Sequence, residues 1–94
     1  MHIGGDVKPP VLMYSVEPEF PENYRKKHFN GNVQVYLWVD KNGMPTHVRV
    51  IKGIGPAFDG SAVKAVQQYK FKPATLNGEP VAVDLYIDVN FTFF

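Results

Sequence analysis

The chain of 94 residues contains no cysteine. That excludes disulfides and thiolate zinc sites, and it is compatible with the cytoplasm or with a periplasm. Long hydrophobic runs are also missing. No segment approaches the roughly 20 apolar residues that span a bilayer as a helix, and no secretory leader is visible. A membrane-anchored parent remains compatible with this chain as a cut piece. Charge of one sign is lacking too: 10 Lys and Arg stand against 9 Asp and Glu, for a formal net charge of +1. Such a balance gives no electrostatic reason to favour nucleic acid or an acidic membrane surface. Histidine is scarce, and His2, His28 and His47 lie in separate parts of the chain without a cysteine nearby. A metal site needs convergent ligands, so no metal and no cofactor are expected.

What the chain does have is alternation. In the last fourteen residues every odd position is apolar: Val81, Val83, Leu85, Ile87, Val89, Phe91 and Phe93. Ala82, Asp84, Tyr86, Asp88, Asn90, Thr92 and Phe94 lie between them. Side chains alternate faces along a strand, so Val81 to Phe94 reads as one long strand with one buried face. It exceeds the usual strand length of about five or six residues. A small domain has few strands with which to cover it, so unpaired N–H and C=O groups are expected along part of its length. Such an edge is a template for another chain.

The remaining elements follow from local signals. Val7 to Pro18, with Pro9, Pro10 and Pro18, reads as an extended entry segment that docks Val11, Met13 or Val16 onto the domain. Pro21 followed by Glu22 and the basic run Arg25-Lys26-Lys27-His28 reads as a short helix oriented to suit its dipole. Val33, Val35, Leu37 and Val39 alternate with Gln34, Tyr36, Trp38 and Asp40 as a strand. Asp40-Lys41-Asn42-Gly43 is a turn into a second strand, roughly Thr46 to Lys52, with Val48 and Val50 inward and His47 and Arg49 outward. Pro56 to about Tyr69 reads as a helix with Phe58, Ala62, Ala65, Val66 and Tyr69 on one face, its end complemented by Lys70 and Lys72. Asn77-Gly78 is a turn before the last strand. A right-handed crossover would set that strand beside the first, giving the order 2-1-3. The helices would then cover the face holding Val35, Leu37, Val50, Leu85 and Ile87, with Leu37, Val50, Val66 and Ile87 buried.

No catalytic constellation emerges. Ser15 and Ser61 lack a base at a suggestive spacing, and a serine without a positioned base is a poor nucleophile. Asp84 and Asp88 stand roughly 13 Å apart along the strand, too far for a paired acid and base. Their plain role is to keep the edge soluble; their sharper one is to select basic or polar side chains on an incoming peptide. Gly53-Ile54-Gly55 lacks the lysine of a phosphate loop and reads as a strand-to-helix loop. Arg25 to His28 reads as a solvated helix end. Tyr36, Trp38 and Tyr86 form an aromatic strip on the uncovered face, either cross-strand packing or a contact surface. No RNP-like sequence accompanies it, so nucleic acid is not an expected partner.

Several separated pieces together resemble the C-terminal domain of TonB-type energy transducers. These are Pro18-Glu19-Phe20-Pro21 with Arg25, then Gly31-Asn32-Val33, then Asp40-Lys41-Asn42-Gly43 followed by Val48 and Val50. Phe58-Asp59 with Ala62, Phe71-Lys72-Pro73-Ala74, Gly78-Glu79-Pro80-Val81 and Phe91 complete the pattern. Order and spacing carry the resemblance, which runs from about Pro18 to Phe91. Two residues depart from it: Tyr24, where alanine is usual, and Gly60, inside the second helix.

The resemblance implies a periplasmic domain, tethered to the inner membrane by an upstream helix. It implies capture of an N-terminal peptide of outer-membrane transporters, added as a strand beside the third strand. It also implies energy from a proton-driven inner-membrane complex, and no chemistry in the domain itself. The peptide-binding edge is expected at Val81, Ala82, Val83, Asp84, Leu85, Tyr86 and Ile87. The expected fold is α+β, a three-stranded antiparallel sheet of order 2-1-3 with two helices on one face. Residues 1–6 read as residues added for expression, 7–17 as the entry segment and 18–94 as the domain. The same edge could pair with a second copy to give a homodimer. The alternative function is a partner-binding module of similar fold attached to a membrane peptidase, a sensor or an envelope scaffold.

Overall fold

A computed structural model describes residues 7–21 and 29–93. The expected first helix and its basic run, the added residues 1–6, and Phe94 lie outside the described residues. The two longest strands, β3 (Phe29–Val39) and β8 (Val83–Phe93), have 11 residues each. They pair antiparallel from Phe29↔Phe93 to Val39↔Val83 without interruption. β4 (Pro45–Lys52) lies on the other side of β3, so the main sheet has the order β4-β3-β8. Here the valines of β3 meet their own kind: Val33 is opposite Val89, Val35 opposite Ile87 and Leu37 opposite Leu85.

α1 (Pro56–Val66) packs on β3 and β4. Pro56 opens it, and the Asp59 carboxylate in its first turn accepts the Ile54 N–H at 3.0 Å. Phe58, Ala62, Ala65 and Val66 are buried, as their helical spacing requires. The helix stops at Val66 rather than near Tyr69. The Gln68 and Tyr69 N–H groups reach back three residues, to Ala65 and Val66, which tightens the last turn. Lys70 and Lys72 therefore lie on a strand, not at a helix end.

A single sheet with two helices is too simple a description. The described residues form one helix and three sheets. β1 (Val7–Lys8), β6 (Ala74–Leu76) and β7 (Glu79–Val81) make a second sheet, and β2 (Val11–Tyr14) pairs with β5 (Lys70–Lys72). These strands run for only two to four residues and are interrupted by prolines, so no alternation could announce them. The entry segment is held through backbone pairing more than by buried side chains: Val11, Leu12, Met13 and Tyr14 are all exposed.

The fourteen-residue strand is also divided. Asn77 and Gly78 both have positive φ, 52° and 84°, and close a two-residue hairpin between β6 and β7. This is the conformation in which Asn-Gly turns match strand twist. Val81 thus pairs with Ala74, and β8 begins at Val83. β8 is therefore no longer than β3.

Leu37 and Val66 are fully buried, while Val50, Leu85 and Ile87 are half-buried against the same core. Phe20, Phe58 and Phe91 close one end with ring centroids 5.1–6.1 Å apart and steep interplanar angles, the edge-to-face arrangement that aromatic quadrupoles favour. The turn between β3 and β4 is fixed by Asp40, whose carboxylate accepts the N–H groups of Asn42 and Met44, both at 2.9 Å. Gly43 then sits at φ 81° and its carbonyl accepts the Phe71 N–H at 2.9 Å.

Three substitutions test this packing by urea denaturation. Leu37→Ala should lose about 2–5 kcal/mol through lost burial and a cavity. Gly43→Ala should destabilise as well, because its Cβ would overlap the Phe71 carbonyl in a backbone conformation that alanine disfavours. Gly60→Ala should instead stabilise by about 1 kcal/mol, since a Cβ there meets nothing within 4 Å and glycine is a poor helix former. A destabilised Gly60→Ala protein would contradict the helix placement.

Candidate functional site

A sheet of order β4-β3-β8 ends in two free edges among the described residues. They differ in shape. The pairing of β4 with β3 is irregular: Tyr36 opposes Arg49, yet Trp38 opposes Thr46, so His47 and Val48 share one place in the ladder. His47 takes a positive φ of 52°, the mark of a bulge. A bulge turns backbone groups out of line, a common protection of an edge. β8 keeps 11 consecutive pairs with β3, so its backbone is regular along the whole open side.

Of the seven residues expected to form the binding edge, Val83, Asp84, Leu85, Tyr86 and Ile87 lie on this open strand. Ala82 stands at the break between β7 and β8, and Val81 belongs to the β6–β7 hairpin, with Ala74 opposite it. The regular edge runs instead toward the C-terminus, through Asp88, Val89, Asn90 and Phe91. Sequence reasoning stopped short of these residues because alternation describes faces and not edges. The visible signal was the continued alternation itself.

The two faces of β8 differ. On the core face Val83, Val89 and Phe91 are buried, but Leu85 and Ile87 between them are only half-buried. Their cross-strand partners Leu37 and Val35 are fully covered. Among the described residues α1 packs mainly over β3 and β4, and Leu85 and Ile87 pack against the core at its margin. On the outer face stand Asp84, Tyr86 and the exposed Asp88. Tyr86 is 61% exposed, with its ring 5.2 Å from that of Tyr36.

The Tyr36 hydroxyl donates to Asp84 Oδ2 at 2.9 Å, and the Arg49 guanidinium lies 4.9 Å from the centre of the Tyr36 ring. Tyr36 and Tyr86 of the aromatic strip thus pack across strands, and Tyr36 links Arg49 of β4 to Asp84 of β8. Burial first, and then the hydrogen bond and charge of Asp84, raise the Tyr36 phenol above its ordinary 10.0, while Arg49 pulls the other way. The side chains considered for chemistry are not brought together. The Ser61 hydroxyl donates to the Glu19 carbonyl, tying α1 to the chain before β3. His47 Nδ1 lies 3.2 Å from Thr46 Oγ1. Among the described residues no three His, Cys, Asp or Glu side chains converge on a metal-sized site.

A raised phenol means that the folded chain holds the Tyr36 proton more tightly than the unfolded chain. Its contribution to stability should be intact below pH 10 and fall as the pH rises above it, through the window between the unfolded and folded values. Tyrosinate absorbance should lose one late-titrating group in Tyr36→Phe, while Tyr69, which burial also raises, still titrates late. An unchanged titration in that variant would rule out the assignment.

Comparison with known proteins agrees with this architecture. Residues 16–93 match the family described as Gram-negative bacterial TonB protein C-terminal. Protein TonB of Vibrio cholerae is 34% identical over 85 residues, which cover 89% of this chain and 35% of that protein. The chain therefore spans about a third of the length of this relative. The solution NMR structure of the Pseudomonas aeruginosa TonB CTD superposes with a TM-score of 0.63 at 18% sequence identity, covering 92% of this chain and 87% of that one. That likeness speaks for the fold. With the family match extending over most of its length, this chain belongs to the TonB C-terminal family.

Proposed function

We propose that this chain is the periplasmic domain of a TonB-like energy transducer, and that it captures an extended N-terminal segment of an outer-membrane transporter by strand addition on β8. In this reading residues 18–94 are the domain and residues 7–17 lead into it from a segment anchored in the inner membrane. A proton-driven complex in that membrane supplies the force, and the domain passes it to the transporter for uptake of cargo such as siderophores. The domain carries out no covalent chemistry. Family membership supports the transducer reading. The observation that carries the capture mechanism is the bulge-free, 11-residue open edge of β8.

Strand addition explains why a transducer can hold a partner reversibly. Each added main-chain hydrogen bond contributes about 0.5–1.5 kcal/mol net. A handful of them gives an affinity that depends little on side-chain identity and can be broken by force. Leu85 and Ile87 would become covered in the same event.

NMR titration with transporter N-terminal peptides should shift the amides of β8 and leave those of α1 nearly unchanged. In an antiparallel pair, successive residues point their backbone groups alternately toward and away from the partner strand. One of Asp84 and Leu85 therefore directs its N–H to the open edge. Asp84→Pro and Leu85→Pro should differ: the outward position should fold by circular dichroism yet bind about tenfold more weakly. The proposal fails if both variants fold and bind normally, or if the shifts map to α1.

A further inference from the structure

We infer that residues 7–14 form a detachable strap. They leave β5 and β6 while the rest of the domain stays folded, so a load from the upstream chain peels the strap before it reaches the β3–β8 ladder. That load is the one the transducer reading supplies, on which the inference rests. The strap is held by little. β1 makes two residue pairs with β6, Val7↔Leu76 and Lys8↔Thr75. Pro9 and Pro10 follow, neither with an N–H to donate. β2 then makes three pairs with β5, with a register shift between Leu12 and Tyr14. No side chain from Val7 to Ser15 is buried, and those of β2 are 47–67% exposed. The Tyr14 ring meets the Lys70 ammonium only at 6.0 Å. By contrast, 11 consecutive pairs join β3 to β8 over a core that includes Val33, Val35, Leu37, Val89 and Phe91. Segments with few buried contacts open at the low end of a protein's range of local stability.

The strands under the strap are held without it. The Phe71 N–H donates to the Gly43 carbonyl at 2.9 Å, so it points away from β2 and ties β5 to the β3–β4 turn. Tyr69 and Phe71 belong to the core cluster. β6 keeps three pairs with β7, and Ala74 is fully buried. The family match begins at residue 16, just beyond the strap. Chain order sets the order of release. A pull from upstream meets Val7 first, then Lys8, and reaches Val11 only after the two prolines. Each pair then bears the load in turn. The eight freed residues span up to about 26–29 Å when fully extended. That reach lets the domain stay on its partner while the anchor moves away.

Amide exchange on the native chain, followed by NMR at rising low urea, tests the separate opening. Backbone groups alternate along β5, so the Lys72 N–H points to β2 where the Phe71 N–H points away. The Lys72 amide should exchange about a hundredfold faster than the paired amides of β3 and β8, with little dependence on urea. The Phe71 amide should stay protected with the core. Equal protection of Lys72 and the β3–β8 ladder overturns the inference, and so does exchange of Phe71 together with Lys72. A staple adds a second readout. The chain has no cysteine, so Val11→Cys with Lys72→Cys offers one disulfide, at opposed and exposed positions whose spacing in an antiparallel pair suits the bond. Oxidation should slow exchange at Lys72 and remove a low-force transition that precedes unfolding when the chain is pulled by its ends; reduction should restore both. Identical behaviour of a folded variant, oxidised and reduced, overturns the strap. If the variant does not fold, exchange on the native chain decides. Neither measurement needs a peptide. A chain without separate opening that still shifts β8 amides with a transporter peptide loses the strap and keeps capture. A chain whose strap opens but which binds no peptide keeps the strap and loses capture.

Discussion

The uninterrupted pairing of β3 with β8 is the constraint from which the rest of this structure follows. All 11 residues of each strand are in register. A slip of one residue would turn either Val33, Val35, Leu37 and Val39 to the solvent face or Asp84 and Asp88 to the core. Burying those carboxylates without partners would cost several kcal/mol each. The register is therefore held by side-chain chemistry along its whole length. Everything that covers the core, including α1 and the Phe20–Phe58–Phe91 cluster, is placed against the face which that register creates.

The same constraint creates the open edge. β3 is paired on both sides, by β8 and by β4, and among the described residues β8 ends the sheet. A long regular edge is an aggregation hazard, and the chain treats its two edges differently. At β4 the His47 bulge breaks the line. At β8 the backbone stays regular, with Asp84 and Asp88 on its outer face. An edge that must accept a strand can be guarded by charge but not by distortion, because distortion would remove the hydrogen-bond spacing that the partner needs.

The short strands show what local patterns cannot carry. The Asn77-Gly78 turn was legible, because that pair adopts positive φ cheaply. That the turn would form a separate hairpin with Ala74–Leu76 was not. The odd-numbered apolar positions run through Val81 and Val83 alike, and the change of partner at Ala82 leaves no mark on them. The end of α1 was read too late for a similar reason. Tyr69 is buried and in phase with the helix face, yet it is reached through a tightened turn, and the chain then enters β5. Burial and phase are shared by the two conformations; backbone hydrogen bonding is not.

By itself the sequence determined the class of fold, the identity of the core face, and the absence of any cysteine-based chemistry. Alternating valines, a proline-opened helix and two glycine turns specify these because each acts over a few residues. The pieces from Pro18 to Phe91 also carried the family, through their order and spacing. Tertiary structure alone decided which of two edges is regular, where β8 begins, and how Leu85 and Ile87 come to be half-covered. It also brought Tyr36 to Asp84 and Arg49 to Tyr36, across three strands. Those outcomes depend on which strands lie side by side and where α1 rests, and strand neighbours are set by backbone pairing, to which side-chain periodicity is blind.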